Sequence, residues 1–339
     1  MSDVACLEGA RVLVTGADGF IGSHLTERLA RAGALVTAMS LYNSFDSHGW
    51  LDEIPSSLSD NLSLIRGDVR DPSFVRNVVS GQDIIFHLAA LIAIPYSYVA
   101  ARSYAETNVL GTLNVLEASR EAAPKRVIVT STSEVYGTAQ TVPISESHPL
   151  HGQSPYSATK IGADMLAEAY ARSFGLPVVV LRPFNTYGPR QSERAVIPTI
   201  IRQALDPACH ILKLGDTTTL RDFTFVDDTV SAFLAVAAGP SIEFGRPYNA
   251  GTETAVSIAD VIAMVAELTE TDKPAQQDGQ RLRPADSEVR ALIADSRRLT
   301  ADTGWRAEIS LRKGLAQTIA WWQARFDRGK VRESLAYMQ

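Results

Sequence analysis

Three glycines, Gly16, Gly19 and Gly22, constrain this chain more than any other feature, because of where they fall in the run VLVT-GADGFIG. Arg11 to Thr15 reads as a short apolar strand. Ile21, Leu25 and Leu29 then recur at helical spacing, so the glycines occupy the turn of a βα unit. A turn without side chains lets the backbone approach a pyrophosphate and aims amides and a helix N-terminus at it. A glycine triplet alone also suits a tight packing turn; the strand before it and the apolar helix after it favour dinucleotide binding.

Apolar segments recur at 35–39, 62–65, 84–88, 126–130 and 177–181, separated mostly by stretches of helical periodicity. That alternation predicts an α/β fold with a Rossmann-type, doubly wound parallel sheet covered by helices on both faces. Two long helices are expected near 97–121 and 156–174. Their many small residues suit a flat face against another subunit, so a homodimer is expected. Beyond Pro183, turn clusters at Gly188-Pro189, Gly215-Asp216, Gly239-Pro240 and Lys273-Pro274 punctuate shorter elements. The expected division is residues 1–185 for the dinucleotide-binding domain and 186–339 for a smaller C-terminal α/β substrate domain. Some segments after residue 220 are expected to return to the first sheet.

Composition narrows the function classes. With 45% hydrophobic and 21% charged residues and no low-complexity tract, the chain is globular rather than disordered. A formal charge of -6 offers no footprint for nucleic acid. Two cysteines, Cys6 and Cys209, support neither a disulfide framework nor a thiolate metal site, and the scattered histidines form no metal motif. The apolar runs are too short to span a membrane, so a cytoplasmic location without a membrane partner is expected.

At the end of the second strand, where dinucleotide-binding chains usually carry an acid for the adenosine ribose, stands Ser40. No arginine follows it to meet a 2′-phosphate, which favours NAD and leaves NADP open. Asp68-Val69 follows the third strand and suits the adenine edge, or Asp68 is a solvated strand-end carboxylate.

Tyr156 and Lys160 lie four residues apart near the start of a helix, on one face. A neighbouring ammonium favours phenolate, so this tyrosine can take a hydroxyl proton while hydride leaves the same carbon for a nicotinamide. The strand at 126–130 ends in Ser131-Thr132-Ser133-Glu134, where an α/β sheet presents groups to ligands. Thr132 can bond a sugar hydroxyl, and Glu134 can remove a proton made acidic by an adjacent carbonyl. A polar capping loop is the alternative. His87 reads as a structural histidine or cofactor wall. Asn108 reads either as a stabiliser of a bend in the active-site helix or as a buried polar contact.

GADGFIG, HLAA, TSTSEVYG, YSATK and RPFNTYGPRQ together resemble the extended short-chain dehydrogenases/reductases of the NAD-dependent epimerase/dehydratase family, over nearly the whole chain. The resemblance implies a nicotinamide cofactor held by Gly16, Gly19, Phe20, Ile21, Gly22, Ser40, Asp68, Val69, Leu88, Ala89 and Ala90, with Tyr156 and Lys160. It also implies a C-terminal domain for a nucleotide sugar. More closely, LIAIPYSY, QSPYSATK, FNTYGPRQSERAVIP and RPADSEV resemble legionaminic-acid-type nucleotide-N-acetylglucosamine 4,6-dehydratases. The activity implied is conversion of a UDP- or GDP-linked sugar to its 4-keto-6-deoxy product by C4 oxidation, water loss across C5 and C6, and hydride return to C6. Better-known hexose 4,6-dehydratases carry aspartate between the threonine and glutamate as acid for the departing hydroxyl; this chain has Ser133.

Asn185, Arg190, Val196, Arg221, Arg281 and Glu288 are the candidate substrate-binding residues, since arginine suits bidentate recognition of a diphosphate. Isolated arginines of this kind also serve as salt-bridge partners. Runners-up among enzymes are a 4-epimerase and a UDP-glucuronate decarboxylase. Outside enzymes, a non-catalytic NAD-binding regulator is the alternative.

Overall fold

A computed structural model describes residues 7–282 and 284–331. Cys6 and the Arg283 of RPADSEV lie outside them, and of Ala285 only the backbone is described. The chain begins with β1 (Arg11–Thr15), α1 (Phe20–Arg31), β2 (Leu35–Leu41), β3 (Leu62–Gly67), α2 (Pro72–Val79) and β4 (Ile84–His87). Two short helices, α3 (Ile94–Ser97) and α4 (Ala101–Tyr104), lead through a π-helical turn (Ala105–Leu110) into α5 (Gly111–Ala122). Then follow β5 (Arg126–Thr130), α6 (Pro155–Phe174) and β6 (Val178–Pro183).

The remainder is more finely divided: β7 (Thr186–Tyr187), α7 (Val196–Leu205), β8 (Leu212–Leu214), β9 (Leu220–Arg221), β10 (Thr224–Phe225) and α8 (Val226–Ala238). It ends with β11 (Pro247–Ala250), β12 (Val256–Ser257), α9 (Ile258–Thr269), β13 (Ala275–Gln277), β14 (Ala291–Leu292), α10 (Arg297–Thr303) and α11 (Leu311–Asp327).

Seven strands form one parallel sheet in the order β3-β2-β1-β4-β5-β6-β11. This is the expected Rossmann-like sheet. Its inner strands are apolar on both faces because helices cover both: Val12 and Val14 join the core with Leu25 of α1 and Phe233 of α8. Leu13 faces the opposite core with Val115 of α5 and Ala167 of α6. The chain runs outward from β1 to β3, then crosses to β4. Strand order therefore reverses between β1 and β4, and the crevice beyond their C-terminal ends is where such sheets take ligands. β11 adds to the far edge, with Pro247 opposite Val180, and α8 packs against α1, β5 and β6.

The single helix expected near 97–121 is broken. Residues 98–100 separate α3 from α4, and a π turn interrupts the run that follows. Within that turn Asn108 is buried, and its amide accepts from Leu91 N–H (2.8 Å) and donates to Leu91 carbonyl (3.0 Å) and Thr159 hydroxyl (3.1 Å). A side chain that engages the loop after β4 in this way accompanies the local change of helical period.

Candidate active site

A cavity of ≈ 770 Å³ opens at the C-terminal end of the sheet. All the residues expected at the cofactor line it, from the Gly16–Gly22 turn through Ser40, Asp68-Val69 and Leu88-Ala89-Ala90. So do Thr132, Ser133, Glu134, Tyr156 and Lys160, together with Asn185 and Arg190. Residues from seven separate segments are thus brought to one space.

Two positions of the turn, Gly16 and Gly22, could carry no side chain. Gly16 has φ +66°, and a Cβ there would lie 2.8 Å from the backbone of Ala89; one on Gly22 would run into the Gly16 carbonyl. Gly19 caps α1 without a side-chain bond, so the helix N-terminus meets the cavity through backbone alone. Ser40 is fully buried, its hydroxyl shared between His48 Nδ1 (2.9 Å) and the Ile65 carbonyl (3.3 Å). Asp68 reaches the cavity gripped by the Arg70 guanidinium (2.5 to 3.0 Å), whose hydrogen bonds hold its carboxyl below the usual range. Asp18, in the turn itself, is pushed up by burial against the pull of backbone hydrogen bonds.

His87 is structural. Its two ring nitrogens meet the hydroxyls of Thr15 (2.9 Å) and Thr112 (3.0 Å), and burial, with Lys160 nearby, pushes its pKa down to about 3. It is neutral at physiological pH, with no nitrogen left for proton transfer.

The Ser154/Ser157 capping box and Pro155 at the first helical position start α6, and Tyr156, Lys160, Ala163, Asp164 and Ala167 form its buried face. Lys160 Nζ donates to the Thr130 carbonyl at 2.5 Å. Burial pushes it down to about 8, and Asp164 pulls it back up. The Tyr156 phenol is driven well up by burial and by the Glu134 carboxylate; the contact that opposes this is a hydrogen bond with Thr132. The acidifying influence in this arrangement is therefore Thr132, whereas the sequence pointed to Lys160, whose head group bonds the end of β5. Thr132 also caps the turn that carries Glu134, accepting from its N–H at 3.2 Å.

One buried group escaped the sequence reading. Asp164 accepts from Ser131 hydroxyl (2.8 Å) and from Arg182 of β6 (2.9 Å), with both side chains at most 1% exposed. Arg182 also donates to Tyr136 hydroxyl (2.9 Å), which donates to Asn249 of β11 (2.7 Å). Its spacing, eight residues after Tyr156 on one helical face, was the available signal.

The substrate candidates divide. Asn185 Nδ2 and Arg190 Nη1 are buried at the cavity without a hydrogen-bond partner among the described residues, as is Gln191 Oε1, which the sequence did not flag. Arg190 also pairs with Glu27 of α1 (2.7 Å). Val196, Arg221, Arg281 and Glu288 do not line this cavity. Val196 opens α7, Arg221 pairs with Glu288 (3.3 Å), and Arg281 pairs with Asp278 (3.3 Å).

Residues 13–318 match the family described as GDP-mannose 4,6 dehydratase. The dTDP-glucose 4,6-dehydratase of Actinoplanes sp. is 30% identical over 320 residues, covering 93% of this chain and 98% of its own. The UDP-glucose 4-epimerase of Mycolicibacterium smegmatis is 32% identical over 314 residues, covering 91% and 97%. The crystal structure of DesIV, a dTDP-glucose 4,6-dehydratase from Streptomyces venezuelae with NAD bound, matches with a TM-score of 0.83 and 30% identity over 94% of this chain and 98% of that one. With its parallel sheet, its glycine turn and its Tyr156/Lys160 face, the chain belongs to the GDP-mannose 4,6 dehydratase family of NAD-dependent epimerases and dehydratases.

Proposed function

We propose that this protein is an NAD-dependent 4,6-dehydratase of UDP- or GDP-linked N-acetylglucosamine. The observation that carries the reading is that one cavity holds the bare glycine turn together with Tyr156, Lys160, Thr132, Ser133 and Glu134. The residues fit the cofactor: Gly16 and Gly22 leave no room for side chains where a pyrophosphate needs the backbone, and Ser40 and Asp68 end the strands beside it. NAD supplies the hydride acceptor for oxidation at C4 and the hydride that returns at C6.

Tyr156, on the same face of α6 as Lys160 and hydrogen-bonded by Thr132, takes the C4 hydroxyl proton. The resulting ketone acidifies C5, and Glu134 removes that proton. The hydroxyl at C6 needs a proton to leave as water; Ser133, a far weaker acid than a carboxylic acid, does not supply it. Glu134, freshly protonated, delivers it, with Ser133 holding the hydroxyl in place. A proton equivalent to the one held by Tyr156 completes C5 after hydride returns. Asn185 and Arg190 face the diphosphate in this reading, and Val196, Arg221, Arg281 and Glu288 take the nucleotide farther out. The choice of N-acetylglucosamine rests on the resemblance of the SPYSATK and RPADSEV stretches. We read the assembly as a cytoplasmic homodimer, which the mass in solution tests.

A 4-epimerase is the second reading, favoured by the absence of a carboxylate at Ser133. Mass spectrometry after incubation with UDP- and GDP-N-acetylglucosamine separates the two. The expected product is lighter by one water; unchanged mass with inverted C4 identifies an epimerase, and carbon dioxide from a uronic acid a decarboxylase. Bound NAD with no turnover of any sugar identifies a regulator. Glu134→Gln is expected to abolish water loss while NAD binding persists.

A further inference from the structure

The segment after β2 carries a cluster that the reaction above does not use. Trp50 lines the cavity near Asp18, Ser40 and Leu41, at the adenosine end of the proposed cofactor site. Two bonds fasten its segment there: Trp50 N–H donates to the Asp18 carbonyl (3.2 Å), and His48 Nδ1 meets Ser40 hydroxyl (2.9 Å). Gly49 makes the approach possible, with φ +60° and a position where a Cβ would lie 2.9 Å from the Asp18 carbonyl oxygen.

α11 grips the same segment from outside. The Arg325 guanidinium lies 4.9 Å from the ring centres of both Trp50 and Trp321, and the two indoles meet edge to face at 5.6 Å. Arg325 Nη1 donates to both carboxylate oxygens of Glu53 (3.0 and 3.3 Å), and Lys330 Nζ lies 3.5 Å from the same group. Trp321 abuts Trp322, which is 2% exposed and belongs to the core. Trp321, Arg325 and Lys330 all follow residue 318, where the family match ends, so nothing in that match accounts for them.

We infer that α11 is a latch on the adenosine end of the cofactor cleft: Arg325 holds the Trp50 indole as the wall against which adenosine packs. This rests on the NAD reading above. The need for such a wall follows from Ser40. A neutral hydroxyl already shared with His48 and a backbone carbonyl offers a ribose less than a carboxylate does. An aromatic face contributes apolar and stacking contact instead. Arginine suits the latch because its planar group covers two rings while bonding a carboxylate, which the lysine ammonium does not do. Trp50 is thus a binding residue and Arg325 a positioning residue.

Calorimetric titration of the full chain with NAD and with 5′-AMP, the adenosine half alone, tests this. Arg325→Ala is expected to weaken both ligands by the same factor, on the order of tenfold. Trp50→Leu is expected to weaken both at least as much, and Trp50→Phe to remove the quenching of tryptophan fluorescence that 5′-AMP causes in the native protein. Unchanged affinities in Arg325→Ala, or a loss for NAD that 5′-AMP does not share, would overturn the latch. If Arg325→Ala does not fold, Arg325→Lys, which keeps the Glu53 pair and loses the planar contact, carries the same comparison. A native protein that binds neither ligand would overturn the cofactor reading itself, an outcome distinct from native binding that is indifferent to Arg325.

Discussion

Lys160 is held between two opposing effects: burial drives its proton off, down to a pKa of about 8, and the carboxylate of Asp164 one helical turn away keeps it on. Its ammonium donates to the Thr130 carbonyl, two residues before Thr132, the hydrogen-bond partner that acidifies Tyr156. Turnover is therefore expected to fall as pH rises past about 8 and Lys160 becomes neutral. In Asp164→Asn the attraction is lost, Lys160 gives up its proton at lower pH, and the alkaline limb of the kcat profile should move acidward. A limb that stays put would confine Asp164 to a structural role. The same substitution leaves the Arg182 guanidinium buried without its main partner, which typically costs ~3–5 kcal/mol of folding stability. Glu168, 4.0 Å from Arg182, offsets part of this, so urea titration should give the lower end of that range. Tyr156, Lys160 and Glu134 were legible as residues because their chemistry is local in sequence. Asp164 shared their helical face, yet its partner Arg182 stands on another strand, and nothing in the spacing joins them. Trp50 was not legible at all, since its neighbours come from residues 18 and 321–325.

Among the elements, α4, the π turn and α5 show where periodicity stops being informative. The apolar pattern over 97–121 fits one helix, and over 101–122 the chain is helical. The π turn accompanies Asn108, whose amide supplies both backbone groups of Leu91 with partners across a separation of 17 residues. Hydrophobic spacing carries no trace of such a bond. Asn108→Ala would strip Leu91 of both partners, and each buried group left unpaired costs ~1–3 kcal/mol. A clear drop in the thermal midpoint is expected. Leu91, Ile92 and Ile94 line the cavity on the loop that Asn108 holds, so KM for the sugar nucleotide should rise more than kcat falls. Equal losses in both would place the effect on α6 instead, through the Thr159 contact.

At the scale of the molecule, the parallel sheet was legible because strands covered on both faces read as apolar runs, as β1, β4, β5 and β6 do, while the edge strand β3, with Ser63 and Arg66, is only partly buried. β11 was not. Pro247-Tyr248-Asn249-Ala250 has little strand character of its own, and it becomes a strand by pairing with β6. That pairing argues that the first 185 residues do not make an independent folding unit. Without β11 the run Val178–Pro183, buried along its whole length, becomes an open edge of β-branched residues, the kind that pairs with other chains. Without α8 the core on the α1 side loses Phe233, Val230 and Leu234 from its packing. The buried chain from Asp164 through Arg182 and Tyr136 would also end without Asn249. A fragment of residues 1–185 is therefore expected to aggregate or to lack a cooperative thermal transition by circular dichroism. A fragment reaching through β11 and α10 should recover one, because it restores the sheet edge, the α8 face and the polar chain behind Lys160 together. A sharp transition in the shorter fragment would mean that β6 tolerates its exposed edge and that the later segments stabilise the sheet without being needed to form it.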